Sequence, residues 1–361
     1  LCYWCFGYGA WLCLALMLAA GIIAHHQKLS ALLAVGILLL PATQYPATTW
    51  WSKPDLDREY VLSLDVEHYF GNIQKMRKHL ETDRQILWVT YYRNLYNATH
   101  PSEINSPVSL SRNLLAWNQP GTNGLILPVN PSASFLSILF ANELWFTLGD
   151  MTMAEHCAML SMIFSPRNSG SRMIKRLAEI NLVNGDDEAA LKYLRILDKT
   201  LLHKSWAEKR IPGQQTPQVK EWLEKKRRDI PTQDQLRSGN DAVTSLQNLV
   251  ASNAGNLRAY EYLLCYHLLS KDLRSFVEDY VPGKVSSPIF AEALLIHLAR
   301  QGNIRAEELI KYQIPVEIAK EFADYTRLYE AKDTSLKEKY GKTYWFYYHF
   351  ATTEPGKESK P

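Results

Sequence analysis

The sequence predicts an all-α protein in which a transmembrane helical hairpin precedes a water-soluble region of stacked helix pairs. Three observations carry that reading. The first 54 residues hold no Asp or Glu and only Lys28 and Lys53 as bases. Beyond Pro54 apolar residues recur at three- and four-residue steps, the period of a helix face, with little of the strict alternation that marks strands. Between these stretches stand Gly-Asp and Gly-Asn pairs, which end one helix in a left-handed residue and cap the next.

The transmembrane segment is placed at residues 1–53. Residues 6–24 run without a charge, close to the ~20 apolar residues a helix needs to cross the hydrocarbon core. A polar break, His25, His26, Gln27 and Lys28, separates them from a second uncharged stretch at 29–51. Pro41 and Pro46 fall within that stretch, where neighbouring helices can take up the freed carbonyls. Trp50 and Trp51 then meet Lys53, the composition of a membrane interface. No basic residue precedes Phe6, which argues against a cleaved signal peptide. The sequence begins at Leu1, already apolar, and this predicts further spans upstream. With Lys28 in a cytoplasmic loop, the soluble domain falls on the extracytoplasmic side.

The soluble domain is placed at 54–351, with a disordered tail at 352–361. In RMIKRLAEINLVNGDDEAALKYLRIL, Ile174, Leu177, Ala178, Ile180 and Leu182 form one apolar stripe and Ala190, Leu191, Leu194 and Leu197 the stripe of a returning helix. Gly185 ends the first helix and Asp186 or Asp187 caps the second. LFANELWFTLGDMTMAEHCAML repeats the plan with Gly149, Asp150 and Ala154 in the places of Gly185, Asp186 and Ala190. Gly149 and Gly185 are 36 residues apart, near the ~34-residue period of tetratricopeptide units. Gly71-Asn72 and Gly302-Asn303 are fainter copies of the turn. The expectation is a tetratricopeptide-like α-α helical repeat, solenoid-like, with an irregular helical bundle as the alternative. Two irregular insertions interrupt it: 101–134, rich in Pro, Gly and Asn, reads as an extended or Ω-like loop, and 204–240 as a basic connector with one helix from Pro217 to Asp229.

Composition supplies little chemistry. A hydrophobic fraction of 47% and a charged fraction of 21% describe a folded chain, and 40 basic residues against 37 acids leave no field to recruit nucleic acid. Five cysteines, three of them at Cys2, Cys5 and Cys13, form neither a disulfide framework nor a zinc motif. There is no HExxH among the ten histidines, no Walker A pattern and no nucleophile elbow. No catalytic, cofactor or metal residue is therefore assigned. Two clusters remain as candidate partner or membrane contacts. Trp206, Trp222, Lys225, Lys226, Arg227 and Arg228 combine bases with aromatic rings, although interleaved acids also suit a solvated helix face. Tyr344, Trp345 and Tyr347 belong to the aromatic run YGKTYWFYYHF, which suits either the closing cap of a helical stack or a contact strip.

QPGTNGL, LFANELWFTLGDMTMAEHCAML, RLAEINLVNGDDEAALKYL, AYEYLLCYHLLSKDL and TYWFYY together resemble an uncharacterised family of bacterial multi-pass membrane proteins, the domain of unknown function 6057 family. The resemblance covers most of residues 55–350. It implies apolar spans ahead of a tetratricopeptide-like C-terminal half, in a bacterial inner membrane, and it brings no catalytic residues. The functional expectation is a membrane-anchored, non-enzymatic scaffold whose partners are the lipid bilayer and another protein or peptide. The alternative is an accessory domain of a membrane enzyme or transporter whose active site lies in upstream spans.

Overall fold

A computed structural model describes residues 56–351 save 82–83, 85, 101–109, 117–120, 130–134, 165–169 and 234–240. The spans expected at 6–24 and 29–51 and the tail at 352–361 lie outside the described residues. Among the described residues there are eighteen α-helices, one 3-10 turn and no strand. None of these helices is long and apolar enough to cross a membrane. The chain divides into two compact units, Leu1–Gly71 and Asn72–Pro361. The described part of the first is helix α1, Leu56–Tyr69, followed by Gly71 at φ +69°.

In the second unit α2 (Ile73–Leu80) and α3 (Leu87–Thr99) lead to the short α4 (Leu110–Asn113) and the 3-10 turn η1 (Gly121–Gly124). Four helices then follow, each packed on the one before: α5 (Phe135–Leu148), α6 (Met151–Ile163), α7 (Ser171–Asn184) and α8 (Asp187–Asp198). Next, α9 (Lys204–Glu208) lies on α8, and α10 (Pro217–Arg227) lies on α7. The same chain-order packing joins α11 (Ala242–Ser252), α12 (Leu257–Leu269), α13 (Leu273–Asp279) and α14 (Pro288–Arg300). Finally α14 receives α16 (Val316–Glu330) and α18 (Tyr344–Phe350), with α15 (Ala306–Lys311) and α17 (Leu336–Tyr340) as short connectors. Pro217 and Pro288 open their helices at the first turn, where a missing N–H costs nothing.

One turn chemistry recurs between these helices. At Gly149, Gly185, Lys271, Gly302, Gln313 and Lys332 the backbone is left-handed. The next residue then sends its N–H back to a carbonyl five positions earlier, as in Asp150 to Trp145 (3.0 Å), Asp186 to Asn181 (2.9 Å) and Asp272 to His267 (2.9 Å). Asp150, Asp186 and Asp272 also accept the N–H of the third residue on, at 2.8 to 3.0 Å, so one residue closes a helix and opens its successor. The three turns without glycine carry no sequence signal, because Lys and Gln are rare in that conformation. Ala154 and Ala190, one turn beyond their caps, are wholly buried where the paired helices approach.

The described residues of the 101–134 stretch carry core surface. Leu110, Leu114, Leu125 and Leu127 are buried, and α4 and η1 both pack on α3 and α12. Glu261 of α12 accepts the Ser111 N–H at 2.8 Å and its hydroxyl at 2.7 Å, while Asn94 of α3 donates to the Gly124 carbonyl at 2.7 Å. Proline and glycine prevent a long helix here, yet the leucines between them carry core surface. The 204–240 connector holds α9 and α10, the latter within two residues of its expected end.

Several helix ends meet at one joint. Asn256, 1% exposed, donates from its amide to the Leu148 and Asp229 carbonyls, both at 2.7 Å, and accepts the Ala259 N–H at 3.0 Å. Two residues on, Arg258 donates to the Ala98 and Thr147 carbonyls at 3.2 Å and pairs with the Asp229 carboxylate at 3.2 Å. The ends of α3, α5 and α10 are thus fastened to the start of α12, and their orphan carbonyls find partners.

Candidate functional site

The basic and aromatic residues singled out around α9 and α10 separate once folded. Trp206 lies half-buried on Ala178, Leu194, Leu197 and Ala207, with Lys175 5.1 Å and Arg210 4.1 Å above its ring. Burial holds both of those cations below their usual pKa. Trp222 stacks on Phe146 at 6.2 Å, and the same phenyl ring carries Arg176 at 3.8 Å and Lys226 at 4.6 Å. Burial lowers the Lys226 ammonium to about 8, helped by the neighbouring Arg176 and Arg258 charges. Arg227 donates to the Val183 carbonyl at 3.0 Å and the Leu182 carbonyl at 2.7 Å, closing the C-terminus of α7. Of the run, Lys225, Arg227 and Arg228 are exposed, Lys225 paired with Glu221 at 2.6 Å. Lys226 and Arg227 thus fasten neighbouring elements, while Lys225, Arg227 and Arg228 keep exposed surface on α10 and just after it.

The aromatic terminus is buried against two helices. Tyr344 and Trp345 are fully buried and Tyr347 nearly so. Tyr344 and Tyr347 donate to the Leu268 and Leu269 carbonyls at 3.0 and 2.8 Å, and the Trp345 indole donates to the Glu292 carbonyl at 2.9 Å. Together they close the C-terminus of α12 and lie over α14, as a terminal cap would.

Glu292 gives this contact a pH dependence. Its carboxylate accepts the Tyr344 N–H, and burial, with a further push from Glu321, raises its pKa to about 7 from 4.5. The folded value exceeds the unfolded one, so the stability that goes with the protonated form is complete below pH 4.5 and is lost as pH rises through 7. Wild-type protein is expected to lose about 3 kcal/mol between pH 4.5 and 8 that Glu292→Gln retains, read by urea unfolding at the two pH values. Parallel profiles for the two proteins would refute the assignment.

The densest polar cluster was not anticipated from the sequence. Glu143 of α5, 5% exposed, pairs with Arg172 at 2.8 Å and with Arg176 at 2.5 Å, both on α7. Arg176 also donates to Asn142 at 2.9 Å and to Glu179 at 3.0 Å, and the Asn142 amide reaches the Ala154 carbonyl of α6 at 2.6 Å. Apart from the Arg176–Glu179 pair within α7, these contacts run between neighbouring helices. The signal was Asn142-Glu143 standing inside the apolar run LFANELWF, since a buried acid demands a partner.

No group of three or more potential ligands could hold a metal ion among the described residues. His267 and Asp279 pair at 2.9 Å. Cys157 and Cys265 are buried, and burial pushes the Cys265 pKa well up, the reverse of an activated nucleophile. A cleft of about 370 Å³ is a better candidate for recognition. It lies where α6 begins, α7 ends and α11 passes, lined by Thr152, Asn184, Ile230, Gln233, Asn248 and Leu249 among others. The amides of Asn184, Gln233 and Asn248 make no hydrogen bond within the protein among the described residues. Asp150, the cap of α6, belongs to the same lining.

Residues 30–351 match the model of a family described as of unknown function, DUF6057. No curated protein and no solved structure matches the chain.

Proposed function

The chain belongs to the DUF6057 family of unknown function, and on that premise we propose that it is a membrane-anchored, non-enzymatic helical-repeat scaffold that holds a peptide segment of another protein in the cleft at the α6, α7 and α11 ends. The observation that carries this reading is the trio of unbonded amides, Asn184, Gln233 and Asn248, facing one cavity. Each side-chain amide offers a donor and an acceptor side by side, the pattern a peptide unit displays, and Leu249 and Ile230 supply apolar wall for a side chain. The repeat reading is supported by the like turns at Gly149 and Gly185 and by helices that pack in chain order. Membrane anchoring is supported by the uncharged stretches at 6–24 and 29–51.

A photo-crosslinking residue at position 248, in the full chain in native bacterial membranes, is expected to trap one discrete protein adduct. The same group at Lys192, exposed on α8, is expected to trap none. Loss of the adduct in an Asn184→Ala, Gln233→Ala background would support recognition by the amides. No adduct at 248, or the same adducts at both positions, would sink the scaffold reading and favour the accessory-domain alternative. Release of the chain from membranes by alkaline carbonate would sink the anchor.

A further inference from the structure

A second cavity, of about 370 Å³, is built from different elements and has a different chemistry. It lies between α4, the start of α14 and the start of α16, lined by Arg112, Ser286, Ser287, Gln313, Pro315 and Ile318, with two tyrosines, Tyr280 and Tyr312, on its walls. Among the described residues of that lining Arg112 is the charged one, and none is Asp or Glu. Two helix N-termini open onto the cavity, and neither is closed by a side chain. Ser287 precedes the 13-residue α14 and Pro315 the 15-residue α16, both without a side-chain cap bond. An uncapped N-terminus carries partial positive charge and unsatisfied N–H groups.

The independent observation is Ser287 itself. The residue is 6% exposed, yet its hydroxyl has no hydrogen-bond partner. Serine at this position ordinarily turns its oxygen onto the first turn of its own helix. Here it does not, although a buried unpaired hydroxyl costs stability. A cavity that combines an orphan hydroxyl, a guanidinium and two bare helix starts, with no carboxylate among its described lining residues, is arranged for an oxyanion.

We propose that this cavity binds a small organic phosphate monoester, its phosphate held by Arg112, the Ser287 hydroxyl and the α14 and α16 N-termini and its apolar body between Tyr280, Tyr312 and Ile318. Donors that converge from several directions suit the three terminal oxygens of a tetrahedral phosphate better than the two coplanar oxygens of a carboxylate. Bare phosphate leaves the apolar part of the cavity empty, so the body contributes to affinity.

The test is thermal unfolding and titration calorimetry of the full chain in detergent with phenyl phosphate, inorganic phosphate, benzoate and benzyl alcohol. Phenyl phosphate is expected to raise the midpoint in a concentration-dependent way, inorganic phosphate less, and the other two hardly at all. Ser287→Ala is expected to unfold at the same or a higher temperature without ligand, because it removes the orphan hydroxyl, and to bind phenyl phosphate roughly tenfold more weakly. Arg112→Gln is expected to weaken binding by about tenfold or more. The proposal is overturned by no response to phenyl phosphate, by benzoate binding as tightly, or by undiminished affinity in Ser287→Ala, a variant that leaves Arg112 in place should its own replacement disturb folding. The cavity shares no residue with the amide-lined cleft, so either can fail alone.

Discussion

Replacing Gly149 by alanine is expected to cost the domain about 3–5 kcal/mol, whereas the same change at Gly185, in the same turn chemistry, costs about 1 kcal/mol. Both residues are left-handed, with φ +92° and +82°, and both would strain an alanine backbone. The difference lies in what a methyl group would meet. At Gly185 nothing lies within 4 Å, but at Gly149 the added carbon would stand 2.3 Å from the Asp229 carbonyl oxygen and 2.7 Å from its carbon. That obstacle is backbone at the end of α10, and its oxygen is held by Asn256 at 2.7 Å. Relief requires α10 to move away from the joint that fastens α5 to α12. Urea unfolding followed by circular dichroism measures both variants. Equal losses would show that backbone strain alone governs these turns, and would contradict the close approach.

Glu143→Ala is expected to destabilise the domain by about 3–5 kcal/mol, the cost of stranding buried charge. Arg172 and Arg176 would lose their shared carboxylate while remaining among α5, α6 and α7, and Arg176 would keep only Asn142, Glu179 and the Phe146 face. Glu143→Gln should lose about half as much, because the amide oxygen still accepts while the charge is gone. The same unfolding experiment orders the three proteins, and a Glu143→Ala variant as stable as wild type would mean that the cluster is solvated and flexible. The network joins three consecutive helices, so the loss should lower the whole transition and leave its steepness alone.

The helical class and the two best-marked turns could be read from the chain because glycine followed by aspartate has few other uses between apolar stripes. Asp186 does cap α8, and Gly149 does precede the cap of α6. The turns at Lys271, Gln313 and Lys332 escaped because their left-handed residues bear side chains, and only the returning N–H groups reveal them. Basic and aromatic clusters invited a surface reading, since sequence shows charge and ring but not direction. Folding turns Lys226 onto Phe146 and Arg227 onto carbonyls, and it buries Tyr344 and Trp345. The α14 cavity was illegible for a different reason: Arg112, Ser287 and Gln313 are distant in sequence and individually ordinary. Only the packing of α4 on α14 brings them together.

The last helix has a consequence for how the protein is made. Tyr344 and Tyr347 close carbonyls 76 and 78 residues upstream, and Trp345 closes one 53 residues upstream. A ribosome releases the chain from its N-terminal side, so α12 emerges with the ends of its backbone open and an apolar flank exposed to water. During translation that flank waits for its lid, and a nascent chain arrested just before Tyr344 would be a target for chaperones or proteases even though most of its helices had already formed.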